Sequence, residues 1–269
     1  MKRALVFVLC TCCAFLALVS IVLAQNVMSK STLCEAGCLL PPTGLIGWWP
    51  GDGNADDIQL GTNGIPMNGV LFVPGLVKQT FSFDGVDDFV DVPDTPALHA
   101  ITVAITVCAW INPQTPRDGE GWIFGRRDPN VSEGISLAVG AGGVLSTYVQ
   151  TTDAFSGFSS WPPVIQFDGQ WKHVAVSVDT RAGKVRLYLN GQPVVIVVVV
   201  GPPTVSGRLA DVSHLFIGQR QALEDGGDLS VCRYKGLMDE VEVYNRALSA
   251  SEIQAIFSVG ARGKCKPRS

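Results

Sequence analysis

Several features are scarce or missing in this 269-residue chain, and their absence argues against some classes of function. Only 16% of the residues are charged, the formal net charge is −4, and basic residues form no cluster. Because contacts to phosphates dominate affinity for nucleic acids, this balance argues against nucleic-acid binding. There are only three histidines, and no Cys-x-x-Cys pair follows the N-terminal apolar run. A structural zinc site is therefore not predicted.

Common catalytic and metal-binding motifs are also missing. The chain has no G-x-S-x-G, no H-E-x-x-H and no phosphate-binding loop. The stretch DGNADD begins like the calcium loop of an EF-hand. An EF-hand needs Gly at loop position six and Glu at position twelve, where this chain has Asp57 and Asn63. The acidic stretch is therefore not half of an EF-hand.

The N-terminus has the pattern of an export signal. Lys2 and Arg3 precede an apolar run that ends in small residues before Gln25. We predict a signal peptide over residues 1–24 and export of the mature protein, secreted to the extracellular space or the periplasm. The alternative is a membrane anchor, because the run is almost long enough to cross a bilayer. Loss of the signal changes the formal charge from −4 to −6, and a polar leader segment follows over residues 25–40.

The remaining composition favours β-structure. With 29 glycines and 16 prolines, the chain alternates short apolar segments with tight turns. One helix is predicted near the C-terminus, where Ser249 and Glu252 have the spacing of a capping box and Gly260 ends the apolar pattern. About a dozen strands and a single short terminal helix predict an all-β, two-sheet antiparallel sandwich.

Three local patterns give finer predictions. The turn DGVD, between the segments FSF and DFVDV, predicts a β-hairpin. The run VVIVVVV, residues 194–200, is too short to span a membrane and predicts a buried strand. Trp48 and Trp49 are neighbours on the entry strand, so we expect one in the core and the other outside.

Longer segments carry a family resemblance. The segments GLIGWWPGDGNADD, FSFDGVDDFVDVP, WKHVAVSVDTRAGKVRLYLNG and MDEVEVYNRALS occur in this order. They resemble the laminin-G-like jelly-roll domains of the concanavalin A-like lectin/glucanase superfamily. The resemblance covers one domain over residues 41–265 and is strongest over 101–247. It implies a concanavalin A-like jelly-roll sandwich but little about function, because this fold serves lectins, glycanases and adhesion modules alike.

The resemblance also implies a disulfide. Domains of this type often have one cysteine just before a Pro-Pro pair and another at the C-terminus, a pattern that Cys38 and Cys265 match. Cys108 stands where relatives usually have an acidic residue, so any role of that position elsewhere is in doubt here. The pairing of Cys34, Cys108 and Cys232 stays open.

Glu240 and Glu242 are the one pair of carboxylates with a spacing that suits catalysis. Alternate residues of a strand share a face, and a retaining glycosidase needs two carboxylates on one face. The third acidic residue of the related glucanases is absent, because Tyr244 is the next residue on that face. We therefore predict that the pair lies on a solvated outer face and that the protein is not an enzyme.

Asp239 suggests a metal instead. It is predicted to share the core-facing side of its strand with two valines, and a buried carboxylate needs a cation or several N–H donors. Calcium prefers hard oxygen ligands. We predict a structural Ca²⁺ held by Asp52, Asn54, Asp57 and Asp239, provided that the first and last strands are neighbours. The alternative is an acidic turn that caps its own backbone.

Two polar loops are candidates for ligand binding. Residues 151–170 contain Phe155, Phe158 and Trp161, and aromatic rings on a polar loop can stack on a sugar or a partner. They could equally fold back and close the sandwich. Residues 117–134 contain Arg126 and Arg127, which could bind an acidic group. The sequence thus predicts a non-catalytic exported module that binds carbohydrate or another cell-surface ligand. The alternatives are a glycoside hydrolase and a protein-binding adhesion module.

Overall fold

A computed structural model describes residues 38–117, 119–127, 133–211, 214–219 and 232–267. The predicted signal peptide, most of the polar leader and Cys34 lie outside these residues. In the described part, the strands form two antiparallel sheets of eight strands each. The predicted two-sheet sandwich with one short C-terminal helix is confirmed.

Sheet I has the strand order β13-β12-β11-β6-β16-β4-β3, and β1 pairs with the C-terminal half of β16. Its strands are β1 (Leu45–Trp49), β3 (Leu71–Pro74), β4 (Gln79–Asp84), β6 (Ala104–Pro113), β11 (Lys172–Asp179), β12 (Lys184–Leu189), β13 (Gln192–Pro193) and β16 (Lys235–Tyr244). The first and last strands are thus neighbours, as the calcium prediction requires.

Sheet II has the strand order β14-β10-β9-β8-β7-β15-β5-β2. Its strands are β2 (Ile65–Met67), β5 (Phe89–Val92), β7 (Glu120–Arg127), β8 (Glu133–Gly140), β9 (Leu145–Gln150), β10 (Phe155–Ser160), β14 (Ile196–Val200) and β15 (His214–Ile217). The main core lies between the two sheets, and alternate residues of both supply it.

Two helices and a 3₁₀ turn complete the described elements: α1 (Pro96–His99), α2 (Ala250–Val259) and the turn Gly260–Arg262. The predicted capping box is present, because the Ser249 side chain accepts from the Glu252 backbone N–H and Glu252 accepts from that of Ser249. Ile253 and Ile256 pack on the outer face of sheet I, in a second apolar layer.

This second layer explains why one prediction about the tryptophans is wrong. Trp48 and Trp49 do alternate across β1, but both are fully buried. Trp49 lies in the main core, and Trp48 lies in the layer beneath α2. Sheet I is therefore covered on both sides, and neither ring faces solvent.

The predicted hairpin around DGVD is also wrong. Strand β4 belongs to sheet I and β5 to sheet II, so the turn crosses from one sheet to the other. Phe81 and Phe83 face the core from one side, and Val90 and Val92 face it from the other. A local turn pattern cannot distinguish this crossing from a hairpin, because both need the same turn residues.

The valine run forms a strand, but it is not buried. Strand β14 is the edge of sheet II, and Val197, Val198, Val199 and Val200 are 40–51% exposed. Hydrophobicity alone predicts burial, whereas position in the sheet decides it.

Candidate functional site

The outer faces of the two sheets carry the chemically distinctive side chains. On sheet I, strand β16 contains a bulge at Glu240, which has a φ of 54°. Asp239 lies opposite Trp110, whose ring stacks on Phe257 of α2. Asp239 therefore faces away from the main core, and the prediction that it shares a face with Val241 and Val243 is wrong. The extra residue of the bulge changes the alternation.

Glu240 and Glu242 share a face, as predicted, but that face is not solvated, since each residue is 1% exposed. Lys264 forms salt bridges with both, at 3.1 Å from Nζ to Glu240 Oε2 in one case. Trp48 Nε1 donates to Glu240 Oε2 at 3.0 Å, and the Tyr244 hydroxyl donates to Glu242 Oε2 at 2.5 Å. Burial opposes the charge on Lys264, yet the two carboxylates raise its pKa above the ordinary value.

The C-terminal segment contributes a second lysine to these buried ion pairs. Lys266 Nζ lies 3.0 Å from Glu240 Oε1 and 2.6 Å from Asp52 Oδ2. Between the two lysines, Cys265 is joined to Cys38 by the disulfide that the resemblance implied. The arrangement fastens both ends of the domain over the outer face of sheet I. We call these groups the ionic lock: Asp52, Glu240, Glu242, Lys264 and Lys266.

Cys108 and Cys232 do not pair with each other. Cys108 is buried beneath α2 on the outer side of sheet I. Cys232 lies in a small apolar cluster with Trp122 and Ala138 of sheet II. The two sulfur atoms are therefore on opposite sides of the sandwich.

The predicted calcium ligands have other partners. The carboxylate of Asp57 accepts four backbone N–H groups at 2.8–3.1 Å, from Trp48, Gln59, Leu60 and Thr62. This is the self-capping turn that the sequence left open as the alternative. Asn54 Oδ1 accepts from the Asp56 backbone N–H within the same loop. Four backbone donors thus share the two carboxylate oxygens of Asp57.

Asp239 is fully buried and accepts the backbone N–H groups of Leu76 and Val77, both at 2.9 Å. Burial raises its pKa to about 7. The structure does not bring the four predicted ligands together around one point. Among the described residues, the carboxylates close enough to share a cation are those of Asp84, Asp87 and Asp88, where β4 crosses towards β5. Calcium binding stays a prediction.

The outer face of sheet II carries a row of stacked rings. Trp122 stacks on Tyr148 with centroids 6.3 Å apart and planes at 12°, and Tyr148 stacks on Phe155 at 5.8 Å and 1°. Sequence reasoning found only Phe155. Tyr148 could have been found from the alternation in LSTYVQ, which places its ring on the non-core face. Trp122 could not, because alternation would put it on the same face as Phe124 of the main core, and a bulge between the two residues changes this.

Small residues make room for this row. A Cβ atom at Gly157 would lie 2.9 Å from the Tyr148 ring and 2.7 Å from Val200 Cγ1. Trp122 is buried, whereas Tyr148 and Phe155 are each partly exposed. We call Tyr148 and Phe155 the aromatic platform. It is the accessible end of the row, next to the β10–β14 edge.

The other predicted ligand-binding residues are scattered. Phe158 is in the main core, because residues 155–160 form strand β10 rather than a loop. Trp161 follows that strand and is 63% exposed. The side chain of Arg127 lies outside the described residues.

Arg126 does not project into solvent. It lies on β7 opposite Ile135 and Leu215 of the core, and it is 2% exposed. Its Nη2 atom lies 3.6 Å from Asp211, and burial lowers its pKa. The expectation of an accessible arginine pair is therefore wrong for Arg126.

Comparison with known proteins supports the architecture. The family model of laminin-G-like domains, described as "Concanavalin A-like lectin/glucanases superfamily", matches residues 84–254, more than half of the chain. The chain belongs to this superfamily. Among curated proteins no sequence gives a significant match.

Solved structures of the superfamily share the fold at low identity. The binding domain of Paraclostridial Mosquitocidal Protein 1 superposes with a TM-score of 0.61 and 16% identity, covering 80% of this chain and 52% of that one. Trypanosoma rangeli sialidase gives 0.59 and 20%, covering 84% and 35%. Domain 4 of the extracellular arabinanase AbnA from Geobacillus stearothermophilus, in complex with arabinotriose, gives 0.52 and 20%, covering 78% and 97%.

The share of each solved structure that this chain covers differs among the three. This chain spans about half of the mosquitocidal binding domain and about a third of the sialidase, but nearly all of the arabinanase domain. The shared property is a fold that occurs in binding domains and in enzymes. In the described part of this chain, no helix has the length and apolar character needed to cross a membrane.

Proposed function

We propose that the protein is an exported, non-catalytic module that binds carbohydrate on the outer face of sheet II. The observation that carries this proposal is the parallel, partly exposed stack of Tyr148 and Phe155. An aromatic ring offers a flat apolar face of high contact area, which suits the C–H face of a pyranose or furanose ring. The platform lies on a rigid sheet rather than a loop, so it is formed before ligand arrives.

Polar groups stand next to the platform, as a sugar site requires. Gln150 lies opposite Phe155 in the β9–β10 pairing and is partly exposed. Ser159, also partly exposed, lies further along the same face of β10. Amide and hydroxyl groups beside an apolar surface can bond the hydroxyls that surround a stacked sugar ring. The arabinotriose complex of the similar arabinanase domain supports a saccharide as the ligand class.

The ionic lock supports a non-catalytic role. Among the described residues, Glu240 and Glu242 are the carboxylates at alternate positions of one strand, the spacing suited to glycoside hydrolysis, and both form salt bridges with Lys264 in a buried site. A general acid and a nucleophile must contact substrate. The runner-up is a glycoside hydrolase that uses Glu240 and Glu242. A wild type that cleaves no glycan would exclude any hydrolase, and a Glu240→Gln/Glu242→Gln variant that keeps the wild-type rate would exclude this pair as its catalytic residues.

Structural calcium is a separate proposal, with Asp84, Asp87 and Asp88 as the oxygen ligands that lie close together. An ion bound only to the folded state raises the melting temperature. We expect melting to occur at a higher temperature in Ca²⁺ than in chelator. Coincident melting curves would contradict calcium binding.

A glycan array tests the main proposal. The mature protein is applied to a broad array in Ca²⁺ and again in chelator, which also shows whether binding needs the ion. We expect a defined set of saccharides to bind, and substitution of Tyr148 and Phe155 by alanine to abolish the signal. An array that stays blank in both conditions would overturn the carbohydrate proposal.

A further inference from the structure

Five described strands lie at a sheet edge, because β1 pairs only with β16. Every residue of β1 is buried, and the four exposed edges differ in one respect. Three of them are short and contain a proline: β2 has Pro66, β3 ends at Pro74 and β13 ends at Pro193. Short length and proline are two of the devices that keep an edge from pairing with another chain. The fourth edge, β14, has five residues, no proline and no charge. It is the one exposed edge among the described strands that lacks these protections.

The surface around β14 is almost free of charge. The chain has 44 acidic and basic residues, 20 Lys+Arg and 24 Asp+Glu, yet none falls between residues 187 and 207. The neighbouring strands β9 and β10 are also uncharged, and Asp153 is the single charged residue over 134–167. An exposed apolar area of this kind marks an interaction surface.

Exposed apolar side chains follow one another along this edge. Val195 is 71% exposed, the four valines that follow Ile196 are 40–51% exposed, and Trp161 is 63% exposed. The Trp161 backbone N–H donates to the Val195 carbonyl at 3.0 Å, so these two exposed residues are neighbours. Large exposed aromatics beside apolar side chains are common in protein interfaces.

We infer that β14 is the surface through which two copies of this chain associate, edge to edge and antiparallel, about a two-fold axis. Antiparallel pairing of the run with itself places valine against valine, so neither copy brings a charge or an unpaired polar side chain to the contact. The run is bounded by Pro193 on one side and by Gly201 and Pro202 on the other. A second copy supplies a strand of the same length, and prolines bound that strand at the same two ends.

A second copy fits better than an unrelated partner for a reason of charge. The chain carries a net charge of −4, so two copies repel least where neither has charged groups. A strand of valines also has no side chain with which to select a foreign sequence, whereas a self-complementary one needs no further selection. The pairing would join both sheets II into one sheet, with their outer faces on the same side.

This geometry has a consequence that rests on the proposed function. Two aromatic platforms would lie on one side of the joined sheet, so a ligand with repeated saccharides could occupy both. Linked sites bind a multivalent surface more tightly than either site alone, by effective concentration.

The test is sedimentation velocity on the mature protein over a concentration series from about 1 to 100 μM, the range in which weak dimers dissociate. We expect a concentration-dependent monomer–dimer equilibrium. Val199→Lys should raise the dimer dissociation constant at least about 10-fold. Leu71→Lys is the matched control, because Leu71 is 62% exposed on the proline-containing edge strand β3. It should leave the equilibrium unchanged.

Val195→Lys provides a second variant should Val199→Lys fail to fold, and circular dichroism checks the fold of each. A wild type that stays monomeric up to the highest concentration overturns the inference, as does a dimer that survives both substitutions. The two proposals fail separately. Monomeric Val199→Lys should keep the single-site affinity for a saccharide, and a Tyr148→Ala/Phe155→Ala variant should keep the dimer.

Discussion

The two outer faces of this sandwich have opposite characters. The outer face of sheet I is closed by α2 and the C-terminal segment, and it buries the charges of the ionic lock. The outer face of sheet II exposes stacked rings and ends in an apolar edge strand, and its strands β9, β10 and β14 contain no charged residue. Charged side chains are thus buried on the face where the ionic lock and the disulfide join the chain ends. They are absent from the strands on which we place binding.

The contrast teaches that residue type alone does not mark a functional face. Two glutamates at alternate positions resemble a catalytic pair, but here each belongs to a buried salt bridge. Buried charges need partners, so the lock requires a lysine delivered from the chain end. The platform needs only two paired strands, a glycine that makes room and rings that stack.

The largest expected effect follows from removing Lys264. Lys264→Ala leaves buried Glu242 without its cation and Glu240 with Lys266 alone, which should lower the free energy of unfolding by about 3–5 kcal/mol. Urea denaturation measures it. Lys78→Ala is the control, because Lys78 pairs with Asp52 at 3.4 Å but is 70% exposed, and it should cost at most about 1 kcal/mol. Equal effects of the two substitutions would contradict a structural role for the lock.

The disulfide should come next. Cys38→Ala/Cys265→Ala removes a cross-link between residues 227 positions apart, and we expect a loss of about 2–5 kcal/mol. Thermal and urea unfolding of this variant give the value. The matched control is Cys108→Ala, which alters a buried cysteine that is not bridged. An unfolding free energy equal to that of the wild type would show that the chain ends are held without the cross-link.

Asp239 should make stability depend on pH. Its folded pKa of about 7 lies above the ordinary value of 3.8, so the folded state binds the proton more tightly than the unfolded state does. Stability should therefore fall as pH rises from about 4 to about 7. Asp239→Asn removes the ionisation and should be more stable than the wild type at pH 8, by about 1–3 kcal/mol. Unfolding at pH 4 and at pH 8 measures this, and an equal difference at both pH values would refute it.

The platform should contribute least to stability. Phe155 is partly exposed and packs on one neighbouring ring, so Phe155→Ala should lower the free energy of unfolding by only about 1 kcal/mol. Thermal unfolding of the variant checks this. A loss as large as that expected for Lys264→Ala would make Phe155 a core residue instead of a surface for ligand.

Sequence patterns predicted much of the fold because turn, capping and strand patterns are consistent with the way these segments pack in the core. The α2 capping box and the family segments each specify their own structure, and the disulfide followed from the resemblance. The errors arose where a distant segment decides the outcome. The exposure of Glu240 and Glu242 depends on Lys264, and the direction of Asp239 depends on a bulge.

The site was harder to predict for a related reason. Phe155 was found as an isolated aromatic, but its partner Tyr148 is on another strand, and only sheet pairing brings the rings together. The exposure of the valine run depended on β14 being the last strand of its sheet. Neither fact is carried by local periodicity.

The affinity of matched aromatic variants for the best saccharide from the array tests the central claim most directly. Phe155 stacks on Tyr148 at 5.8 Å on the open face, and Phe257 stacks on Trp110 at 5.7 Å on the closed face, and both are partly exposed. Isothermal titration should show that Phe155→Ala weakens binding about 10-fold, while Phe257→Ala leaves it unchanged. Loss of affinity with Phe257→Ala alone would place the binding site on the face that we assign to stability.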